Sequence, residues 1–314
     1  MSFALLFAGQ GTQHATMLPW LEAEPASRAA LDAMQRYTGP AWRESLADPD
    51  VRSSNMFAQP LITGTSLAAW AAIGQQLCEK QAQIGDAAMP AIVAGYSVGE
   101  LAAFACAQML DVESAVALAA QRAALMDAAV AGMNTGLLSV SGIAVSWVLA
   151  LDARLDCAIH IAADHGIYAG EGAVLDICSQ LLTDRGATCK RLDVRVASHS
   201  RWMAPAAAQL AQVLPTYAWA QAQCPVALDA TGCATRQTQA LQKGLAAQLC
   251  TTVQWAACMD TIAEKGVRCV MEIGAGSALA KLWNARHADI PARSVDDFRD
   301  AAGAARWIAR HLDA

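Results

Sequence analysis

Charge is scarce in this chain: Asp, Glu, Lys and Arg make up 16% of its 314 residues, against 55% hydrophobic ones. Disordered segments need the opposite balance, so the composition describes a compact protein with a sizeable core. Basic runs are missing too. No five consecutive Lys or Arg residues occur and the net charge is −6, which argues against a nucleic-acid-binding face. Ten cysteines are present, yet none are paired at Cys-x-x-Cys spacing, so neither a zinc site nor a redox pair is indicated. They read as reduced, small hydrophobes in a cytoplasmic protein. No stretch of 18 uncharged apolar residues stands out as a membrane span. Met1 to Phe7 lacks a basic leader region and runs into a Gly-rich turn, as a buried first strand does and a signal peptide does not. Aromatics are few at 6%, and the abundant alanine favours closely packed helices.

What is present is an alternation of short apolar runs with longer helical stretches, the pattern of α/β architecture. Phe3 to Phe7 is a strand ending at Gly9-Gln10-Gly11, and Ala91 to Ala94 is a second, followed by a helix from Glu100 to Met109. Val112 to Ala131 is helical, and Cys269 to Ile273 is a late strand ending at Gly274-Ala275-Gly276. In the middle, Gly136 to Ile143, Ala158 to Ala162, Ile167 to Ala169 and Cys189 to Val196 are strand-like. Helices at Val145 to Leu151 and Gly172 to Arg185 lie between them, which makes two βαβ-like units. The expectation is a large α/β-hydrolase-like domain with a parallel sheet, from 1–126 and 196–314. A smaller ferredoxin-like domain, 127–195, is inserted in it.

The sharpest local signal is Gly95-Tyr96-Ser97-Val98-Gly99, a Gly-x-Ser-x-Gly sequence after a strand and before a helix. Such a turn brings neighbouring backbone too close for side chains at the glycines, and it holds the serine before the amides of the next helix. A serine hydroxyl needs a base. Of six histidines, His199 stands out, just past the strand-like run in which Leu192 and Val194 alternate inward. A strand end would aim its imidazole rigidly. Arg122 lies among Ala119, Ala120, Ala123, Ala124 and Leu125, an apolar setting in which an unpaired charge is costly.

Together these residues resemble the malonyl-CoA:acyl-carrier-protein transacylases along most of the chain. Gly9-Gln10-Gly11-Thr12-Gln13 is similar to that family's first loop, and Gly95-Tyr96-Ser97-Val98-Gly99-Glu100 to its nucleophile turn. Arg122 with Met126, Ser198-His199 with Met203 and Pro205, Val253-Gln254-Trp255, and Glu272-Ile273-Gly274-Ala275-Gly276 follow in order. The resemblance implies a malonyltransferase with Ser97 as nucleophile and His199 as base. It implies the backbone amides of Gln10 and Val98 as oxyanion hole, and Arg122 as partner of the malonyl carboxylate. A backbone carbonyl near Gln254 would orient the histidine, so that no acidic third member is needed. Malonyl-CoA would be the substrate, an acyl-carrier protein the partner and its prosthetic thiol the acceptor, with no resident cofactor or metal.

The departures matter as well. Ala8 and Ala275 stand where prolines are usual, Ala163-Asp164-His165-Gly166 replaces an Asn-rich segment, and Tyr96 replaces a histidine. Tyr96 turns the resemblance toward the transacylase subunit of malonate decarboxylase, which charges a dedicated carrier; the alternative is a transacylase of fatty-acid or polyketide synthesis. A serine thioesterase and a non-catalytic scaffold are the competing classes. The first would normally add a His-Gly-Gly-Gly-type loop, which is absent.

Overall fold

The computed structural model describes residues 2–81 and 89–313. In chain order its strands are β1 (Phe3–Phe7), β2 (Ile92–Gly95), β3 (Thr135–Ser141), β4 (Asp156–Ala162) and β5 (His165–Glu171). They continue with β6 (Thr188–Arg191), β7 (Val226–Ala227), β8 (Ala234–Thr235), β9 (Cys269–Ile273) and β10 (Ala292–Ser294). Six of them form a sheet in the order β10-β9-β1-β2-β7-β8, parallel except for the β7–β8 pair. Both faces of its centre are buried, which is why β1 is apolar at every position. Phe3, Leu5 and Phe7 join the largest core cluster, while Ala4 and Leu6 point into a second one.

The other four strands form an antiparallel sheet in the order β4-β5-β3-β6. With helices Val145–Leu151 and Gly172–Thr183 the chain order is βαββαβ, the ferredoxin-like arrangement. Leu138, Val140 and Tyr168 pack against those helices through Val148, Leu175 and Leu182. Leu137, Ile159 and Ile167 face the other way and share a core cluster with Ala4, Leu6 and Ala94 of the first sheet. All strands of this sheet lie inside the expected 127–195 insert.

Two expectations change. The strand-like run from Cys189 to Val196 stops at Arg191, because only β3 pairs with it and the chain then leaves the sheet edge to return to the main body. His199 therefore sits in a loop, at φ 58°, and not at a strand end. Its segment is held instead by Thr135, whose Oγ1 accepts the Ala197 amide at 3.2 Å, and by the Ser200 hydroxyl, which donates to the Ala197 carbonyl. The second change is the helix Asn55–Gln81, of which Asn55–Glu79 is long and apolar enough to cross a membrane by length and composition. Within the fold 83% of its apolar window is buried. It packs on the helices Arg28–Thr38 and Val112–Ala129, so it is a core helix surrounded by protein.

Candidate active site

The centre is built where β1 and β2 end side by side. Strand β2 closes at Gly95, Ser97 takes a left-handed backbone at φ 56°, and the helix Gly99–Cys106 begins two residues later. A Cβ on Gly95 would fall 2.1 Å from the Gly99 carbonyl carbon, and one on Gly99 would fall 2.3 Å from the Phe7 carbonyl oxygen. Both glycines are therefore steric requirements of the turn. The first loop presses on the same turn, since a Cβ on Gly9 would meet the Tyr96 carbonyl at 2.6 Å. Tyr96 itself packs edge-on against Trp255, with ring centroids 5.0 Å apart.

Ser97 and His199, far apart in sequence, meet at 2.8 Å between Oγ and Nε2. The Nδ1 of His199 is 2.6 Å from the backbone oxygen of Gln248. A carbonyl can only accept, so Nδ1 carries the proton and donates it there; Nε2 is left to accept from the Ser97 hydroxyl. The residue whose carbonyl orients the histidine is thus Gln248, not Gln254. The carbonyl of Gln254 accepts from the Cys258 amide in the helix Trp255–Ala263, and its own amide donates to Asp229. Gln248 follows the last residue of the helix Thr238–Ala247, where carbonyls are no longer taken by the next turn.

Arg122 is 1% exposed. Its Nη1 donates to Gln59 Oε1 at 2.8 Å and its Nη2 to Gln248 Oε1 at 2.7 Å; Nη2 is also 3.4 Å from Ser97 Oγ. Its Nε has no partner among the described residues. Burial pulls the guanidinium down to about 10, opposed by the carboxyls of Glu100 and Asp229, so it remains a cation at neutral pH. Burial and then the Arg122 cation push His199 down to about 3, against the opposing bond to Gln248. Glu100 is pushed up to about 7 by burial, and Asp229 well above the carboxylate range by burial and by Glu100. The Gln248 side-chain nitrogen ties this layer together, donating to Glu100 Oε2 at 2.6 Å and to the Ser97 carbonyl at 3.2 Å.

Gln10 and Val98 both line a cavity of about 290 Å³ that opens over Ser97, between the two sheets. Their amides have no acceptor among the described residues. Leu137, Ile159 and Ile167 close the cavity from the second sheet, and Lys190 and Arg191 stand in its wall. No three His, Cys, Asp or Glu side chains gather as a metal site among the described residues. The arrangement can activate a hydroxyl, receive an oxyanion on two amides and hold a carboxylate within reach of the hydroxyl.

Ser97, His199, Arg122, Gln10 and Val98 are thus brought together, and Gln254 is not. Sequence reasoning missed Gln59, Gln248 and Asp229. Gln59 had one signal, a polar residue within the short apolar run from Met56 to Ile62. Nothing around Gln248 or Asp229 marks them, since their importance comes from neighbours distant in the chain.

A family model described as acyl transferase domain matches residues 4–312. The malonyl CoA-acyl carrier protein transacylase of Mycobacterium tuberculosis is 33% identical over 309 residues, covering 95% of this chain and 97% of that protein. The crystal structure of the acyl-carrier-protein S-malonyltransferase from Burkholderia pseudomallei superposes with a TM-score of 0.85 at 26% identity, covering 98% of this chain and 100% of that one. A malonyl-transacylase solved in complex with its type II PKS acyl-carrier protein gives 0.85 at 25% identity, covering 98% and 99%. The chain belongs to the acyl transferase family in which these malonyl-transacylases stand.

Proposed function

We propose that the chain moves a malonyl group from malonyl-CoA to the thiol of an acyl-carrier protein through an ester on Ser97. The observation that carries this is the placing of Ser97 Oγ 2.8 Å from His199 Nε2 and 3.4 Å from Arg122 Nη2. One hydroxyl is thereby within reach of both a base and a cation suited to a carboxylate. Ser97 attacks the thioester carbonyl as its proton passes to His199 Nε2, and the Gln10 and Val98 amides receive the oxyanion. Collapse expels the coenzyme A thiolate, which takes that proton. The carrier's thiol then gives its proton to His199 and attacks the ester, and Ser97 leaves with the proton restored. Arg122 holds the free malonyl carboxylate, with its unpartnered Nε as an added donor. The same reading takes 127–195 as a small domain that closes the acyl cavity. It keeps a cytoplasmic location, with ten unpaired cysteines.

For the carrier, the names of the relatives favour fatty-acid or polyketide synthesis over malonate decarboxylase. Tyr96 alone supports the latter, and its ring packs on Trp255. Intact-mass measurement with malonyl-CoA, followed by addition of each carrier in turn, tests both levels. A malonyl adduct that is lost in Ser97→Ala and moves on to carrier is expected. Release as free malonate would make the protein a hydrolase, and no adduct would make it a scaffold.

A further inference from the structure

Strand β7 runs parallel to β2, with Val226 beside Val93 and Ala227 beside Ala94. Two residues beyond each strand end, this register brings Asp229 level with the Ser97 turn. Asp229 Oδ2 accepts the Ser97 amide at 2.7 Å and also faces Gln248 Nε2 at 3.3 Å. Its own amide donates to Glu100 Oε1 at 2.8 Å, and its carbonyl accepts from the Gln254 amide at 2.7 Å. The residue is fully buried, and Oδ1 has no partner among the described residues. A buried carboxyl with one oxygen unpaired, beside a second buried carboxyl, is a burden on stability. Such local conflicts gather at functional sites. Ser97, meanwhile, holds a left-handed backbone that a non-glycine residue adopts only when its surroundings impose it.

We infer that Asp229 is a positioning residue for the nucleophile: by taking the amide of Ser97 it holds the turn that aims Oγ at His199. It also keeps that amide out of the reacting space, which leaves the oxyanion to Gln10 and Val98. The inference rests on the proposed role of Ser97 and adds a residue that touches neither substrate nor base.

The test compares Asp229→Asn, which keeps an oxygen for the Ser97 amide, with Asp229→Leu, which matches its size and accepts nothing. Asp229→Ala, also unable to accept, serves if the leucine variant does not fold. Ser97 acylation by malonyl-CoA is timed by quenched intact-mass spectrometry on the full chain. Phenylmethylsulfonyl fluoride is a second probe of the serine that needs no carboxylate site. Loss of the bond that aims Oγ predicts acylation slowed about ten- to a hundredfold in the leucine or alanine variant, the scale of a misplaced reacting group, with KM unchanged. The sulfonyl fluoride reaction slows in parallel. The asparagine variant stays within about threefold of wild type, because its side-chain oxygen still accepts the Ser97 amide. Wild-type rates in a folded leucine or alanine variant, or an asparagine variant as slow as either, would overturn the inference. Absence of malonyl adduct on wild-type Ser97 would instead overturn the proposed function, and the sulfonyl fluoride rates would still decide the part played by Asp229.

Discussion

Gln248 reaches His199 and Arg122 at once, its backbone oxygen 2.6 Å from the imidazole Nδ1 and its side-chain oxygen 2.7 Å from the guanidinium. The orientation of the base and that of the cation are therefore set by one residue at a helix end. Displacing it would disturb both, whereas the nearby Gln254 spends its carbonyl within its own helix.

That relationship predicts an asymmetry between two glutamines. Gln248→Ala leaves Arg122 Nη2 and Glu100 Oε2 without their partner, inside a layer where unpaired polar groups cost about 1–3 kcal/mol each. Acylation should fall about ten- to a hundredfold, with a lower melting temperature. Gln254→Ala removes only a 3.4 Å contact to the Thr252 carbonyl, so its rate should stay within about twofold of wild type. Stopped-flow acylation and thermal melts of the two variants decide the matter; equal losses would show that the Gln248 side chain has no special part in the site.

The low basicity of His199 gives a pH signature. With its pKa pushed down to about 3, the imidazole is neutral throughout the ordinary histidine range. Acylation should therefore show no step at about pH 6.5, where an unperturbed histidine titrates. His199→Ala should slow acylation by about 10²–10⁴-fold. A step near pH 7 that survives in that variant would belong to Glu100 or to Glu272 in the cavity wall, both pushed up to about 7 by burial. Stability has its own sign. The unfolded histidine binds a proton below about 6.5 and the folded one does not, so its contribution is complete above that value and is lost as pH falls toward 3. His199→Gln should reduce this acid loss in pH-dependent melts.

Arg122 should separate dicarboxylic from monocarboxylic acyl groups. Replacing it by alanine leaves the malonyl carboxylate unpaired, a loss of about ten- to a hundredfold in kcat/KM. Sequence reasoning alone predicts that acetyl transfer is spared, or improved by removal of a buried charge without a counter-charge. The fold changes that expectation, because Glu100 and Asp229 lie close enough to act electrostatically on Arg122. Arg122→Ala should therefore lower the melting temperature, most at pH above 7 where Glu100 ionises. Acetyl transfer per folded molecule should change least. On the proposed reading, a carboxylate docked on Arg122 would offset the cationic push on His199 and raise its basicity. Parallel kinetics with malonyl-CoA and acetyl-CoA on one carrier measure the difference; equal losses would make Arg122 purely structural.

Glycines should divide by what surrounds them. Gly95→Ala and Gly99→Ala place a Cβ within 2.1 Å and 2.3 Å of backbone that cannot yield, and should abolish folded protein. Gly74→Ala, inside the long helix and with its nearest neighbour 4.0 Å away, should stabilise by about 0.5–1 kcal/mol. Soluble yield and thermal melts suffice to check both.

Local chemistry determined what could be read without a structure. The nucleophile turn is such a feature: Gly95 is excluded from carrying a side chain by Gly99 and Glu100 a few residues away, and the exclusion is visible as a pattern, although Gly99 is constrained by the distant Phe7 carbonyl. Strands β1 and β9 were legible for the same reason, as short apolar runs closed by glycine. The helix Asn55–Gln81 was not, because a helix buried on all sides loses the apolar and polar alternation by which a surface helix is recognised. Resemblance reached His199 and Arg122 but missed the carbonyl that orients the base. Only the tertiary structure could decide for Gln248 over Gln254, since the choice depends on which helix end lies against the imidazole. It also decided the charge states. The carboxyls of Glu100 and Asp229, the Arg122 cation and the His199 ring come from four separated segments, and their ionisation is set by shared burial that no single segment contains.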